Sequence, residues 1–140
     1  MKIILCTDDN WGLSFNNRRQ SKDKAVREKI LEITKGCRLW MSEYSYRQFE
    51  ENPSNVSTDE NFIDKAGNDD FCFIENLPVN PKNADKLYIF FWNRSYPSDL
   101  KLNFNPESNG FHLESVSDFK GNSHDKITLK IYSQNQKTKK

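Results

Sequence analysis

Side chains of the types that do covalent or acid–base chemistry are present in this 140-residue sequence, but their spacing leaves few candidates. The two histidines, His112 and His124, fall in a strand-like pattern and in a turn, which argues against a paired acid–base or metal-binding role. Cys6, Cys37 and Cys72 are odd in number, far apart and each beside an apolar run. With no Cys-x-x-Cys and no Cys/His pairing, they read as reduced, buried thiols of a cytoplasmic protein rather than zinc ligands or disulfides. Asp8-Asp9 and Asp69-Asp70 could suggest a divalent cation, but their Asn and Gly neighbours favour loop solvation and helix capping. No serine lies in Gly-x-Ser-x-Gly, and no nucleophile–base pairing is readable along the chain. The five glycines stand at 12, 36, 67, 110 and 121, with no Gly-x-Gly. A dinucleotide fingerprint and a phosphate-binding P-loop both need clustered glycines so that bare amides can approach phosphate, so both are excluded.

What remains is chemistry of recognition. Trp92-Asn93-Arg94-Ser95-Tyr96 gathers the three residue types enriched at binding hot spots, and Trp11 with Arg18 and Arg19 forms a second such group. Trp92, Arg94, Tyr96, Trp11, Arg18 and Arg19 are therefore the candidate partner contacts. The ordinary reading of Trp11, Trp40 and Trp92 stands beside this one: large rings that line a core or a pocket wall. Twenty-one basic against 20 acidic residues give a net charge of +1, so no overall field collects nucleic acid. The basic clusters are Arg18-Arg19 and the tail at 137–140, which reads as disordered. The apolar run at the start is too short for a signal peptide or a membrane span, so a soluble, cytoplasmic protein with no membrane partner is expected.

The elements that position these residues follow from apolar periodicity. Residues 2–7 read as a buried strand ended by Asp8-Asp9-Asn10, and 8–20 as a loop. Val26, Ile30 and Ile33 form one stripe of a helix, with Ser21 as N-cap and Gly36 just past its end. Residues 37–41 give a short strand and 43–50 a short helix. Residues 51–70 are polar, with Val56, Phe62 and Ile63 as anchors, and read as an insert that is mobile in the absence of more contacts. Phe71-Cys72-Phe73-Ile74 and Leu87–Trp92 are apolar strands. Two alternating segments around Lys120-Gly121-Asn122 predict a C-terminal hairpin. The whole is a single domain over 1–136. Its class is α/β, a three-layer α/β/α sandwich with a mixed central sheet and an antiparallel C-terminal hairpin.

This succession resembles the dihydrofolate reductase family. Met1–Leu13 is similar to that family's opening strand and active-site loop, and the helix ending at Gly36 with Leu39-Trp40-Met41-Ser42 to its first helix and next strand. Ala84-Asp85-Lys86-Leu87-Tyr88 resembles its late strand, and residues 111–119 with 127–132 its terminal hairpin. The resemblance spans about two-thirds of the chain.

What it implies about chemistry is largely loss. Counting back from Met41 without gaps, the position of the family's substrate-binding carboxylate is Val26, with Asp23 or Glu28 as shifted substitutes. The Pro-Trp expected before the helix reads Arg19-Gln20-Ser21. Where the family binds cofactor phosphates after the second strand stands Ser42-Glu43-Tyr44-Ser45, and in place of its Gly-Gly stands Glu75-Asn76. Carboxylates there repel phosphate. The expected Thr is Phe90, and the substrate-clamping arginine has no counterpart in 51–70. The expectation is an inactive relative with no cofactor, bound metal or catalytic residues, redeployed to bind and modulate or inhibit another protein. Sixteen asparagines, abundant lysine and few alanines suggest an AT-rich, phage-like genome and a host protein as target. The alternative is a divergent NADPH-dependent reductase or a nucleotide-binding protein using the old cleft. Nucleic acid is an unfavoured partner.

Overall fold

The computed structural model describes residues 1–135. The basic tail at 137–140 lies outside the described residues. Among the described residues ten strands form two sheets. The larger runs in the spatial order β5 (Val56–Thr58), β4 (Leu39–Met41), β6 (Phe71–Phe73), β1 (Lys2–Thr7), β7 (Lys86–Phe91), β10 (Ile127–Gln134) and β9 (Phe111–Phe119). From β5 to β7 all neighbours are parallel, and β10 joins β7 and β9 antiparallel. The sheet is therefore mixed and ends in the expected C-terminal hairpin.

Strand β1 is central because its side chains are apolar on both faces. Ile3 and Leu5 enter one core with Leu87, Ile89 and Phe62, while Ile4 enters the other with Val26, Ile30, Phe73 and Phe90. Helix α1 (Lys24–Ile33) covers that second face through Val26 and Ile30, with α2 (Glu43–Tyr46) beside it. The first face is covered by α3 (Phe62–Lys65), by two short 3-10 turns and by the smaller sheet. The third layer is thus assembled mostly from short pieces.

Three local readings are corrected. The N-cap of α1 is Asp23, not Ser21; Asp23 has extended backbone and its carboxylate accepts from the Ala25 amide at 2.8 Å. The helix read over 43–50 stops at Tyr46, after which Gln48 and Phe49 continue only as a turn that sinks Phe49 into the core. The loop read over 8–20 contains strands β2 (Gly12–Phe15) and β3 (Arg18–Arg19), and β8 (Leu100–Lys101) completes their sheet. Asn16 and Asn17, with φ of 51° and 61°, make the two-residue left-handed turn that suits a tight hairpin. The polar stretch 51–70 carries β5 and α3, with Phe62 buried in the core.

Chain order and sheet order together create the site. After β1 the chain runs to β4 and β5, returns beside β1 as β6, and crosses to the other side of β1 as β7. Open parallel sheets hold their crevice at the carboxyl ends of strands where the order reverses. Here those ends deliver Ser42, Glu75 and the segment from Cys6 to Asp8.

Candidate functional site: a crevice closed by the chain's own hairpin

The β2–β3 hairpin lies on this crevice and is fixed there by Arg19. Its Nε donates to both oxygens of Glu75, at 3.2 and 2.9 Å, and its terminal nitrogen to the Tyr44 carbonyl at 3.2 Å. The guanidinium carbon sits 4.3 Å from the Tyr44 ring centroid, a cation–π contact. The Tyr44 hydroxyl in turn accepts from the Arg19 amide at 2.9 Å. Glu75 is 8% exposed and also accepts from Gln48 Nε2 at 3.0 Å. At the tip, Asn76 donates to the Asn17 carbonyl at 2.9 Å. The two residues standing in place of a Gly-Gly step, and Tyr44 in the stretch after Ser42, are thus the hairpin's anchors.

Cys6, near the end of β1, feels the charges of this latch. Burial pushes its thiol well above the usual range, the charges of Glu75 and Asp23 add to that, and Arg19 only partly opposes them. Burial also pushes Cys72 up to about 12. Neither is a thiolate nucleophile at neutral pH.

A second cluster adjoins the first. Asp23 accepts from Ala25 and Asn122 amides at 2.8 Å each, from the Ser123 amide at 2.9 Å, and from His124 Nδ1 at 2.9 Å. Burial alone would raise its pKa; the hydrogen bonds from Asn122, His124, Ser123 and Ala25 outweigh it and hold the carboxyl well below the usual range. Gly121 permits this docking, since a Cβ there would lie 2.7 Å from Asp23 Oδ2 and from the His124 carbonyl. His124 stacks on Trp92 with ring centroids 4.7 Å apart.

The six predicted contact residues are dispersed. Arg18, Arg19 and Tyr96 share a hollow of about 650 Å³ with Phe15, Gln20 and Pro97. Trp92 is 3% exposed and its ring is spent against His124, so it has no surface to offer. Trp11 packs edge-on to Phe91 and lines a different hollow with Leu102 and Phe104, away from the arginines it neighbours in sequence. Arg94 is exposed, and its carbonyl accepts from the Asp9 amide. On the other side of Arg18 and Arg19 is a hollow of about 510 Å³, lined also by Lys22, Tyr44 and Arg47. Sequence reasoning missed Lys22 and Arg47, which join Arg18 only because α2 and the hairpin meet. In sequence Glu75 stands only as a charge hostile to phosphate; no local signal pairs it with an arginine 56 residues earlier.

Val26 and Phe90, at the positions of a substrate carboxylate and a hydroxyl in the resembled family, are both core residues. Asp23, the shifted substitute, is turned toward the 122–124 segment. The crevice does not fit a dinucleotide pyrophosphate: Glu75 occupies the approach with a carboxylate, and Arg19, the cation nearest it, is already bound to it. Among the described residues no group of three or more His, Cys, Asp or Glu is placed to hold a metal ion, and no helix is long and apolar enough to cross a membrane.

No family model matches the chain, and no curated protein matches it in sequence. Solved structures do. A dihydrofolate reductase from Enterococcus faecalis, solved with NADP(H) and RAB-propyl, superposes with a TM-score of 0.65 over 96% of this chain and 96% of that one, at 9% sequence identity. With the mixed seven-stranded sheet, the helix-covered face and the terminal hairpin in common, the chain has the fold of dihydrofolate reductase.

Proposed function

We propose that this protein uses the dihydrofolate reductase fold without its reaction, as a cytoplasmic module that binds and modulates another protein. The observation that carries this reading is the seating of Arg19 on Glu75 and Tyr44, which gives the crevice an occupant from its own chain. A cleft so closed offers binding surface on the outside of the latch. That surface is cationic: Arg18, Lys22 and Arg47 line one hollow and none of them forms a salt bridge among the described residues. Phe15, 42% exposed at the hairpin, adds an apolar anchor. A partner segment rich in Asp and Glu with one apolar side chain matches this surface, by complementarity that sets specificity and association rate. The asparagine- and lysine-rich composition supports a phage-like origin and a host protein as target.

The test has two arms. Purified protein mixed with NADPH and dihydrofolate is expected to leave the NADPH absorbance at background; turnover above background overturns the reading. Separately, charge reversal at Arg18 and Arg47 together is expected to abolish binding of acidic peptides. The alternative, a nucleotide bound through those same cations, predicts saturable quenching of tryptophan fluorescence by NADPH in the absence of any partner.

A further inference from the structure

The Asp23 cluster has a reactive geometry that the closed crevice does not use. Asp23 is fully buried and His124 nearly so, with side-chain exposures of 0% and 2%. The carboxylate already receives three backbone amides, and the Ser123 hydroxyl reaches it at 3.2 Å. As an ionised acceptor it takes a proton-bearing Nδ1 from His124, which fixes the ring's tautomer. In the neutral ring Nε2 then carries the lone pair. Two hydroxyls lie within reach of it: Ser21 Oγ at 3.1 Å and Tyr96 Oη at 3.0 Å. The ring cannot turn away, because it is stacked on Trp92 at 24°. Carboxylate, imidazole and serine hydroxyl thus stand in the relation of orienting acid, general base and nucleophile.

We propose that Ser21 is an acyl-accepting nucleophile served by His124 and oriented through Asp23, acting on carboxylic esters. This inference is independent of the protein-binding function. As Ser21 Oγ forms its bond to the acyl carbon, its proton passes to His124 Nε2. The ester C–O bond then breaks and the departing alkoxide takes that proton as the free alcohol. Water, deprotonated by the same nitrogen, adds to the acyl carbon; the bond to Ser21 Oγ breaks, Oγ takes the proton back from Nε2, and the carboxylic acid leaves. Tyr96, which shares Nε2 in the resting state, competes with Ser21 for the base. It also lines the 650 Å³ hollow beside Arg18 and Phe15.

The sequence concealed this arrangement. Ser21 and His124 are 103 residues apart, and Ser21 reads locally as a helix cap.

The full chain is treated with p-nitrophenyl acetate. A burst of p-nitrophenolate of about one equivalent per chain is expected, with the acetyl group located on Ser21 by peptide mass spectrometry. Ser21→Ala abolishes the burst, and Tyr96→Phe, which leaves Ser21 sole access to the lone pair, quickens it. His124→Gln slows it by about 100-fold, the usual contribution of a positioned base. As loss of a buried ring can unfold the chain, Ser21→Cys supplies a second readout: its alkylation by iodoacetamide should persist below the ordinary thiol pKa of about 8.5. Acetyl groups confined to lysines in folded protein, or a Ser21→Cys pH profile like that of a free thiol, overturn the proposal.

Discussion

Two clusters, one on the β2–β3 hairpin and one on the segment that follows it, solve the burial of a carboxylate differently. Glu75 is met by a full opposite charge, Arg19, together with the Gln48 amide. Asp23 is met by backbone amides, a hydroxyl and an imidazole. The first arrangement is closed: each charge cancels the other, and the guanidinium's remaining faces go to Tyr44. The second is open at one atom, because a neutral imidazole that donates from Nδ1 still has a lone pair at Nε2. A salt bridge therefore makes a latch, whereas a hydrogen-bonded carboxylate makes a relay that ends in hydroxyls. The same fold can seal one crevice while leaving reactive chemistry a few residues away.

Breaking the second cluster is expected to have the largest effect. Asp23→Ala removes the cap of α1 and leaves the amides of Asn122 and Ser123 without their acceptor, so unfolding in urea should show a loss of about 3–5 kcal/mol. Should the loss be near 1 kcal/mol, the carboxylate is only a helix cap and the 122–124 segment is held by other contacts.

The latch comes next. Glu75→Gln leaves Arg19 unpaired at a part-buried site and should cost about 2–3 kcal/mol. Replacing both partners with apolar residues, Arg19→Met with Glu75→Leu, should recover most of that, since a buried pair is often matched by packing. The Glu75 charge also raises the Cys6 thiol, so Glu75→Gln should speed the reaction of that thiol with a disulfide reagent; an unchanged rate would mean that this charge does not govern it.

The clusters should also separate with pH. The folded Asp23 carboxyl lies well below its unfolded value of about 3.9, so the stability it contributes is present above that value and is lost as pH falls from about 4 toward the folded value. Urea midpoints should decline across that range, and Asp23→Asn should flatten the decline. The smallest effect is expected at Phe15, which is exposed on the hairpin. Phe15→Ser should shift stability by no more than about 0.5 kcal/mol while weakening binding of acidic peptides. A larger loss of stability would make Phe15 part of the hairpin's packing and remove it from the proposed surface.

Much of the frame was legible from the chain. The two-sided apolar runs at 2–7 and 87–92 can only be central strands, and the stripe of Val26, Ile30 and Ile33 can only lie on a sheet. Local signals were present even where the reading failed. Asn16-Asn17 is a hairpin turn between two short segments, but strands of four and two residues carry too little alternation to announce themselves. Asp23 outcompeted Ser21 as the cap because a carboxylate can satisfy both the helix amide and a distant loop, and that loop is invisible from α1.

By itself, then, the sequence determined the layered α/β frame and the loss of bare glycine amides where a phosphate would need them, because composition and periodicity act over a few residues. Only tertiary structure decided that Arg19 answers Glu75, that Arg18, Lys22 and Arg47 share one hollow, and that Ser21, Tyr96 and Asp23 converge on His124. Charges and hydrogen bonds fall off within a few ångströms. Their partners are therefore chosen by the crossing of β6 to β7 and the closing of the hairpin, which no local pattern encodes.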